Sequence, residues 1–371
     1  MFIHLEQALF TGMDTGQILN RLMDEYRQLR NPQGRVYVFL DEIQTLQGWE
    51  IWLKYRYDLR QKIKFFITGS NSLLLSSEFA TRLTGRVIEH GLTPFNFREY
   101  LAFRGFELGE PEEWVLKKEA ILYHFEQYMQ LGGMPEVVGA PSQDVARTLL
   151  TSTFDSIIYK NIVLRFNVRQ AETLRKLGLY LIGQAGNISN LKKIGVILEM
   201  DRNTVRDFQG YLETSLMIHV LNKFDFSEKR QLLSQKKTYV CDNGFINGLT
   251  FQFSPDRGDL LENLVQSQLG RAHQRIYYYK NRSECDFIVY DFKREAAVYQ
   301  VCYELTENNK NREIRGLVAG CKIINLNEGT IFTWDQTEEF EHSGVRVHVK
   351  PVWEWMLAPS AIPSTNPESL G

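Results

Sequence analysis

Val36-Tyr37-Val38-Phe39-Leu40 runs directly into Asp41-Glu42, and this join of an apolar run to two acids decides the fold. A short uninterrupted apolar run is the pattern of a parallel strand covered on both faces. Upstream lies the turn Asn31-Pro32-Gln33-Gly34. Before it, Ile18, Leu19, Leu22, Met23 and Tyr26 recur at helical spacing. Phe2-Ile3-His4-Leu5 reads as a further short strand. Downstream the pattern predicts a helix from Trp49 to about Gln61 and the strand Lys64-Phe65-Phe66-Ile67-Thr68. A helix from Leu73 to Leu83 and a strand from Val87 to Leu92 follow. Strands alternating with helices predict a parallel α/β sheet. Asp41 and Glu42 then sit at its carboxyl edge, where open α/β folds bind ligands.

Composition narrows the setting. Lys plus Arg total 43 against 45 for Asp plus Glu, in a chain of 371 residues with net charge -2. Any nucleic-acid surface must therefore be a local patch. Apolar residues make up 43% and charged residues 24%, which is ordinary for a globular chain. No apolar run is long enough to span a bilayer, and the first residues form no export signal. The sequence therefore predicts a cytoplasmic protein without a membrane association. Cys241, Cys285, Cys302 and Cys321 are scattered, with no CxxC pair, and are expected to be reduced structural thiols.

Two adjacent acids at a strand end fit a division of labour in nucleotide hydrolysis: Asp41 helps hold Mg²⁺ and Glu42 polarises the attacking water. Gly69-Ser70-Asn71-Ser72 places small polar groups at the same edge. Arg82-Leu83-Thr84-Gly85-Arg86 supplies arginines able to reach a phosphate, in this subunit or a neighbouring one. The stretch from "VYVFLDEIQTLQGWE" through "KFFITGSNSLLLSSEFATRLTGRVIEHGLTPFNFREYL" resembles a prokaryotic family of AAA+ ATPases, the archaeal-type ATPases with a C-terminal nuclease-like domain. That resemblance implies that Asp41-Glu42 is the Walker B pair, that Ser70 and Asn71 stand at the sensor-1 position, and that Arg86 is the arginine finger. It also implies Mg²⁺-ATP as cofactor and places "QLGGMPEVV" in the helical lid.

One motif of that family is missing. No G-x-x-x-x-G-K-[ST] stretch occurs in the sequence, and Gly12 and Gly16 in "TGMDTGQ" have the wrong spacing and no lysine. That loop supplies the amide cradle and the lysine that grip the triphosphate. The expectation is a chain truncated before Met1, binding ATP weakly or not at all. Its sheet would lack a central strand between residues 64–68 and 87–92.

Further along, Ile188 to Glu199 and Asn203 to Thr214 read as a helix-turn-helix. Val205, Phe208 and Leu212 form its inner face, while Lys192, Lys193, Arg202, Arg206 and Gln209 form a DNA-facing side. Strands over residues 218–223 and 237–241 enclose a polar loop shaped like a wing. Nine basic against six acidic residues lie between Leu191 and Lys237, a modest positive patch.

The last constellation is Glu262 on a helix, Asp286 on the strand "CDFIVYD", and Gln300 and Cys302 in "YQVCYEL". The order resembles the PD-(D/E)xK nuclease fold, in which helix and strand acids and a lysine gather Mg²⁺. Here Gln300 stands for the acid and Cys302 for the lysine, so the resemblance implies a vestigial metal site.

The predicted layout is an AAA+ ATPase core lacking its phosphate loop over residues 1–105, a helical lid over 106–170, and a winged helix over 171–245. A nuclease-like α/β domain follows over 246–357, with a disordered tail over 358–371. The expected function is ATPase-like, coupled to a C-terminal region that binds DNA or a protein partner, in a chain able to form homo-oligomers. The competing readings are a non-enzymatic DNA- or protein-binding module and a metal-dependent nuclease.

Overall fold

The computed structural model describes residues 1–5, 14–59, 61–69, 83, 86–88, 90–250, 256–291 and 295–358. It divides into two compact units, one formed by Met1–Leu92 with Thr214–Leu216 and the other by Thr93–Glu213 with Met217–Gly371.

In the first unit, β1 (Phe2–His4), β2 (Val36–Asp41) and β3 (Ile63–Ile67) form a parallel sheet in the order β1-β2-β3. Leu40 lies opposite Ile3 on one side and Ile67 on the other. Helix α1 (Thr15–Arg30) starts where the Asp14 carboxylate accepts the Gln17 amide, and α2 (Trp49–Asp58) follows β2. One sheet face is packed: Ile3, Leu5, Val38 and Leu40 are buried with Leu19, Met23, Trp52 and Leu53 of the helices. The apolar run predicted cover on both faces, but Tyr37 is 50%, Phe39 41% and Phe66 42% exposed. The period-2 alternation of a strand puts these rings together on the second face, with Phe39 and Phe66 stacked at 4.7 Å between centroids. The strand expected at 87–92 is a second correction. Val87, Ile88 and residues 90–92 are not in a strand, and among the described residues β3 pairs only with β2. The helix expected from Leu73 to Leu83 lies almost wholly outside the described residues, as does the expected tail after Ala358.

The second unit holds helices Phe97–Phe103, Lys118–Leu131, Pro135–Val138, Gln143–Ser156 and Ala171–Ile182, with a π-helical stretch at Ile157–Val163. Their buried faces share one hydrophobic core with the strands that follow, in which Phe97, Phe125 and Phe154 lie with Leu212, Tyr239 and Phe287. Among the described residues the second sheet has nine strands. Their ranges are β4 (Ile188–Ser189), β5 (Ile218–Lys223), β6 (Lys236–Val240), β7 (Ile276–Lys280), β8 (Glu284–Asp291), β9 (Glu295–Val301), β10 (Glu328–Thr333), β11 (Glu338–His342) and β12 (Val345–Pro351). Their order is β11-β12-β10-β9-β8-β7-β5-β6-β4.

One pairing reshapes the expected layout. β5 runs parallel to β7, with Asn222 opposite Tyr277 and Lys223 opposite Tyr278. The hairpin expected to be a free wing is therefore an extension of the C-terminal sheet. Its connecting segment, expected to be a polar loop, contains a short helix, Glu228–Leu233.

Candidate functional site

At the edge of the first unit, Asp41 is the last residue of β2. Its Oδ2 lies 2.8 Å from the His4 ring nitrogen Nδ1 at the end of β1, and its Oδ1 accepts the Thr68 hydroxyl just beyond β3. These hydrogen bonds, Thr68's first and then His4's, hold the Asp41 carboxyl below the usual range, so it is ionised at neutral pH. Glu42 leaves the strand in the left-handed region, at φ 55°, and its carboxylate accepts the Gln44 amide. Three parallel strand ends thus deliver an imidazole, a carboxylate and a hydroxyl to one point. Thr68 was missed in the sequence because the small polar cluster after it drew the assignment. Ser70, Asn71 and Arg82 lie outside the described residues. Arg86 is directed to α2: its guanidinium pairs with Asp58 at 3.3 Å and lies 5.9 Å over the Tyr57 ring.

In the second unit, the helices Leu191–Leu198 and Arg202–Thr214 are joined at Glu199, whose backbone is left-handed at φ 54°. The Asn190 side chain caps the first helix by accepting the Lys192 and Lys193 amides. Ile188 and Ser189, expected to open this helix, instead pair with β6. Gly195 permits the tight turn, because a Cβ there would lie 2.6 Å from the Met200 carbonyl oxygen. Val205, Phe208 and Leu212 are buried as the spacing predicted. Lys192, Lys193, Arg202 and Arg206 are exposed, with Arg206 paired to Asp207 at 2.9 Å. Gln209 is a correction. It is 7% exposed, and its amide lies 3.3 Å from Thr238 Oγ1 on β6, so it faces the protein and not a groove.

The third cluster is the most tightly built. Glu262, from the helix Arg257–Ala272, and Asp286, from β8, converge on Lys237 of β6. Lys237 Nζ lies 2.8 Å from Glu262, 3.1 Å from Asp286 and 3.2 Å from Glu284. Tyr239 donates its hydroxyl to Glu262 at 2.5 Å. Asp286 also accepts the Val301 amide at 3.0 Å. Gln300 accepts the Asp286 amide at 3.3 Å and donates to Glu313 at 2.8 Å. Burial opposes the charge on Lys237, but the carboxylates outweigh it and hold the ammonium well above its ordinary pKa. Burial, followed by the Asp286 charge, pushes Glu262 above the usual carboxyl range, against the pull of the Lys237 ammonium. Glu262, Asp286 and Gln300 stand near one another, with Gln300 turned to the Asp286 amide and to Glu313. The sequence order gave no sign of Lys237, which reaches the acids only because β5 and β6 extend the same sheet. Cys302 is buried in the hydrophobic cluster with Leu317 and Cys321.

The chain is similar to known proteins over most of its length. A family model described as an AAA domain matches residues 1–101, and a second, described as a domain of unknown function, matches residues 122–256. No solved structure matches. The parallel sheet of the first unit thus lies within the stretch similar to an AAA domain, which supports an AAA-type, ATPase-like reading of the N-terminal region. An uncharacterized protein of Methanocaldococcus jannaschii is 30% identical over 373 residues, covering 95% of this chain and 82% of that relative. An uncharacterized protein of Haemophilus influenzae is 28% identical over 83% of this chain and 75% of its own length. The chain belongs to the family of the Methanocaldococcus protein. No helix among the described residues is long and apolar enough to cross a membrane.

Proposed function

We propose that this protein is an AAA+ ATPase-like protein whose nucleotide-facing edge is coupled to a C-terminal body that holds DNA. The observation that carries the ATPase reading is Asp41 at the carboxyl end of β2, ionised and flanked by the Thr68 hydroxyl. A carboxylate and a hydroxyl are hard oxygen donors of the kind that suit Mg²⁺, and Asp41 is the group that would hold it. Bound Mg²⁺ would supply charge neutralisation at the phosphates. Glu42, one residue further on, is the candidate for polarising the attacking water. Ser70 and Asn71 as sensor groups and Arg86 as arginine finger remain part of this proposal.

The shared core of the second unit supports the coupling in this proposal. The helices from Phe97 to Ser156 are packed with the Arg202–Thr214 helix and the C-terminal sheet. Close packing transmits displacement without slack. A shift of the lid helices therefore carries the Leu191–Thr214 pair with it. Lys192, Lys193, Arg202 and Arg206 form the DNA-facing side, as phosphate contacts.

The test is Mg²⁺-ATP turnover measured beside duplex-DNA binding at rising salt. The expected result is turnover lost in Glu42→Gln, and DNA affinity that falls steeply with salt and drops at least tenfold in Lys192→Glu/Arg206→Glu. Unchanged DNA affinity in that double variant removes the helix pair from DNA binding. Turnover unchanged in Glu42→Gln removes the ATPase assignment.

A further inference from the structure

The resemblance to a metal-dependent nuclease makes a specific demand on the Glu262/Asp286 centre: its acids must converge on a divalent cation. The residues present do not fit one. The point at which Glu262, Glu284 and Asp286 converge is filled by Lys237 Nζ, 2.8–3.2 Å from an oxygen of each. A Mg²⁺ ion binds oxygen at about 2.1 Å, so an ion held by the same oxygens would lie almost on top of the ammonium.

Hydrogen bonds engage the cluster further. Asp286 Oδ2 accepts the Val301 amide, the Glu262 Oε1 that faces Lys237 also accepts the Tyr239 hydroxyl, and Gln300 Oε1 accepts the Asp286 amide. Gln300, in the position of the second strand acid, is a bridge to Glu313 and not a ligand. The ammonium itself is shut off from solvent. The Lys237 side chain is 3% exposed, and Tyr239 is fully buried. Among the described residues no cluster of three or more His, Cys, Asp or Glu side chains has metal-binding geometry.

We propose that Lys237 is the built-in cation of this centre, locking an acid cluster of nuclease type into a metal-free strut between the β5–β6 hairpin and the C-terminal sheet. One fixed charge replaces the ion and closes the site to a phosphodiester. Lys280 at 2.8 Å from Glu284 shares the compensation at the exposed end. The C-terminal fold then holds and does not cut, which separates this protein from the nuclease reading.

The same logic explains why the cation is a side chain. A buried carboxylate group left without its partner is strongly destabilising, whereas a complete set of neutral replacements is tolerated. A metal ion would make folding depend on supply and pH. An ammonium on β6 forms the cluster whenever the hairpin joins the sheet.

The experiment uses the full chain with Lys237→Met, with Asp286→Asn, and with the neutral triple Lys237→Met/Glu262→Gln/Asp286→Asn. Thermal unfolding is recorded in EDTA and in Mn²⁺, bound Mn²⁺ is counted by EPR, and plasmid cleavage is assayed in parallel. The expected result is that Lys237→Met lowers Tm by on the order of 10 °C, and that the triple variant recovers most of this loss. Lys237→Met regains stability in Mn²⁺ and binds one more ion than the wild type. Asp286→Asn leaves the wild-type Mn²⁺ count unchanged, and no chain cleaves DNA.

Asp286-dependent Mn²⁺ binding or cleavage by the wild type overturns the proposal. So does a Lys237→Met chain as stable as wild type, or one that gains no ion. If Lys237→Met does not fold, the triple variant decides: a folded, metal-indifferent triple supports the lock, and a triple that is equally unfolded overturns it. None of these readouts depends on ATP turnover or on Lys192 and Arg206, so this proposal and the DNA-holding ATPase reading fail separately.

Discussion

Asp242 and Gly133 are joined across 109 residues: Asp242 Oδ2 accepts the Gly133 amide at 2.6 Å, while its other oxygen accepts the Gly244 amide at 2.8 Å. The pair explains the glycines of "QLGGMPEVV". Gly132 has φ +76°, and a Cβ there would meet Asp242 Oδ1 at 1.7 Å. At Gly133 a Cβ would meet the Phe95 carbonyl oxygen at 2.2 Å. Beside the pair, Asn243 donates to the Met129 and Leu260 carbonyls, and Asn263 bonds the Val240 backbone at both its groups. This buried network ties the helix Lys118–Leu131 to β6 and to the helix Arg257–Ala272.

Gly132→Ala and Gly133→Ala are therefore expected to cost at least about 3 kcal/mol each, because backbone and a buried carboxylate cannot step aside. Gly210→Ala is the contrast. Its Cβ meets nothing within 4 Å inside the helix Arg202–Thr214, so it should gain about 0.5–1 kcal/mol from helix propensity. Urea unfolding of the three variants checks both signs.

The same carboxylate predicts a pH dependence. Burial pushes Asp242 up to about 6, against the pull of the Gly133 and Gly244 amides. A raised carboxyl pKa means that the folded state holds a proton that the unfolded chain has already released. The contribution of Asp242 to stability is thus largest below about pH 4, declines between about 4 and 6, and is level above. The two-unit shift corresponds to a swing on the order of 3 kcal/mol. Asp242→Asn removes the swing, so the stability of wild type measured relative to the variant should fall as pH rises through that window. A gap that stays constant from pH 4 to 7 would contradict the assignment.

Gln209 gives a third prediction and shows where sequence reading stops. It shares a helical face with Arg202 and Arg206, so spacing alone placed it in a groove. The buried arc is wider than Val205, Phe208 and Leu212, because β6 covers the flank and takes the Gln209 amide at Thr238. Gln209→Ala should cost about 1 kcal/mol in stability and leave the salt dependence of DNA binding unchanged.

What was legible follows the same line. Asp41 could be placed from the sequence because an apolar run names its own strand end, and the strand "CDFIVYD" that carries Asp286 was legible for the same reason. Val87–Leu92 has the composition of a strand, but pairing is decided by neighbours that a local pattern does not contain. Lys237 shows the limit most sharply. Its role depends on the β5–β7 pairing, a contact between Lys223 and Tyr278 that no spacing rule anticipates.

The last prediction concerns the half-covered sheet of the first unit. Leu40 is 1% exposed and packs among α1 and α2 residues, whereas Phe39, its neighbour in sequence, is 41% exposed on the opposite face. If one face alone is buried, adjacent residues of one strand must differ several-fold in cost. Leu40→Ala should lose about 2–5 kcal/mol, from transfer and cavity together. Phe39→Thr keeps a strand-forming residue and gives up mainly the Phe66 stack, so it should lose about 1 kcal/mol or less. Equal losses at the two positions, measured by denaturant unfolding of the full chain, would mean that the Tyr37, Phe39 and Phe66 face is covered in solution. Removing the rings should also reduce any self-association, because contiguous exposed aromatic surface is what sheets of this kind bury against a neighbour. Sedimentation of Phe39→Thr/Phe66→Thr beside wild type reads that effect independently of stability.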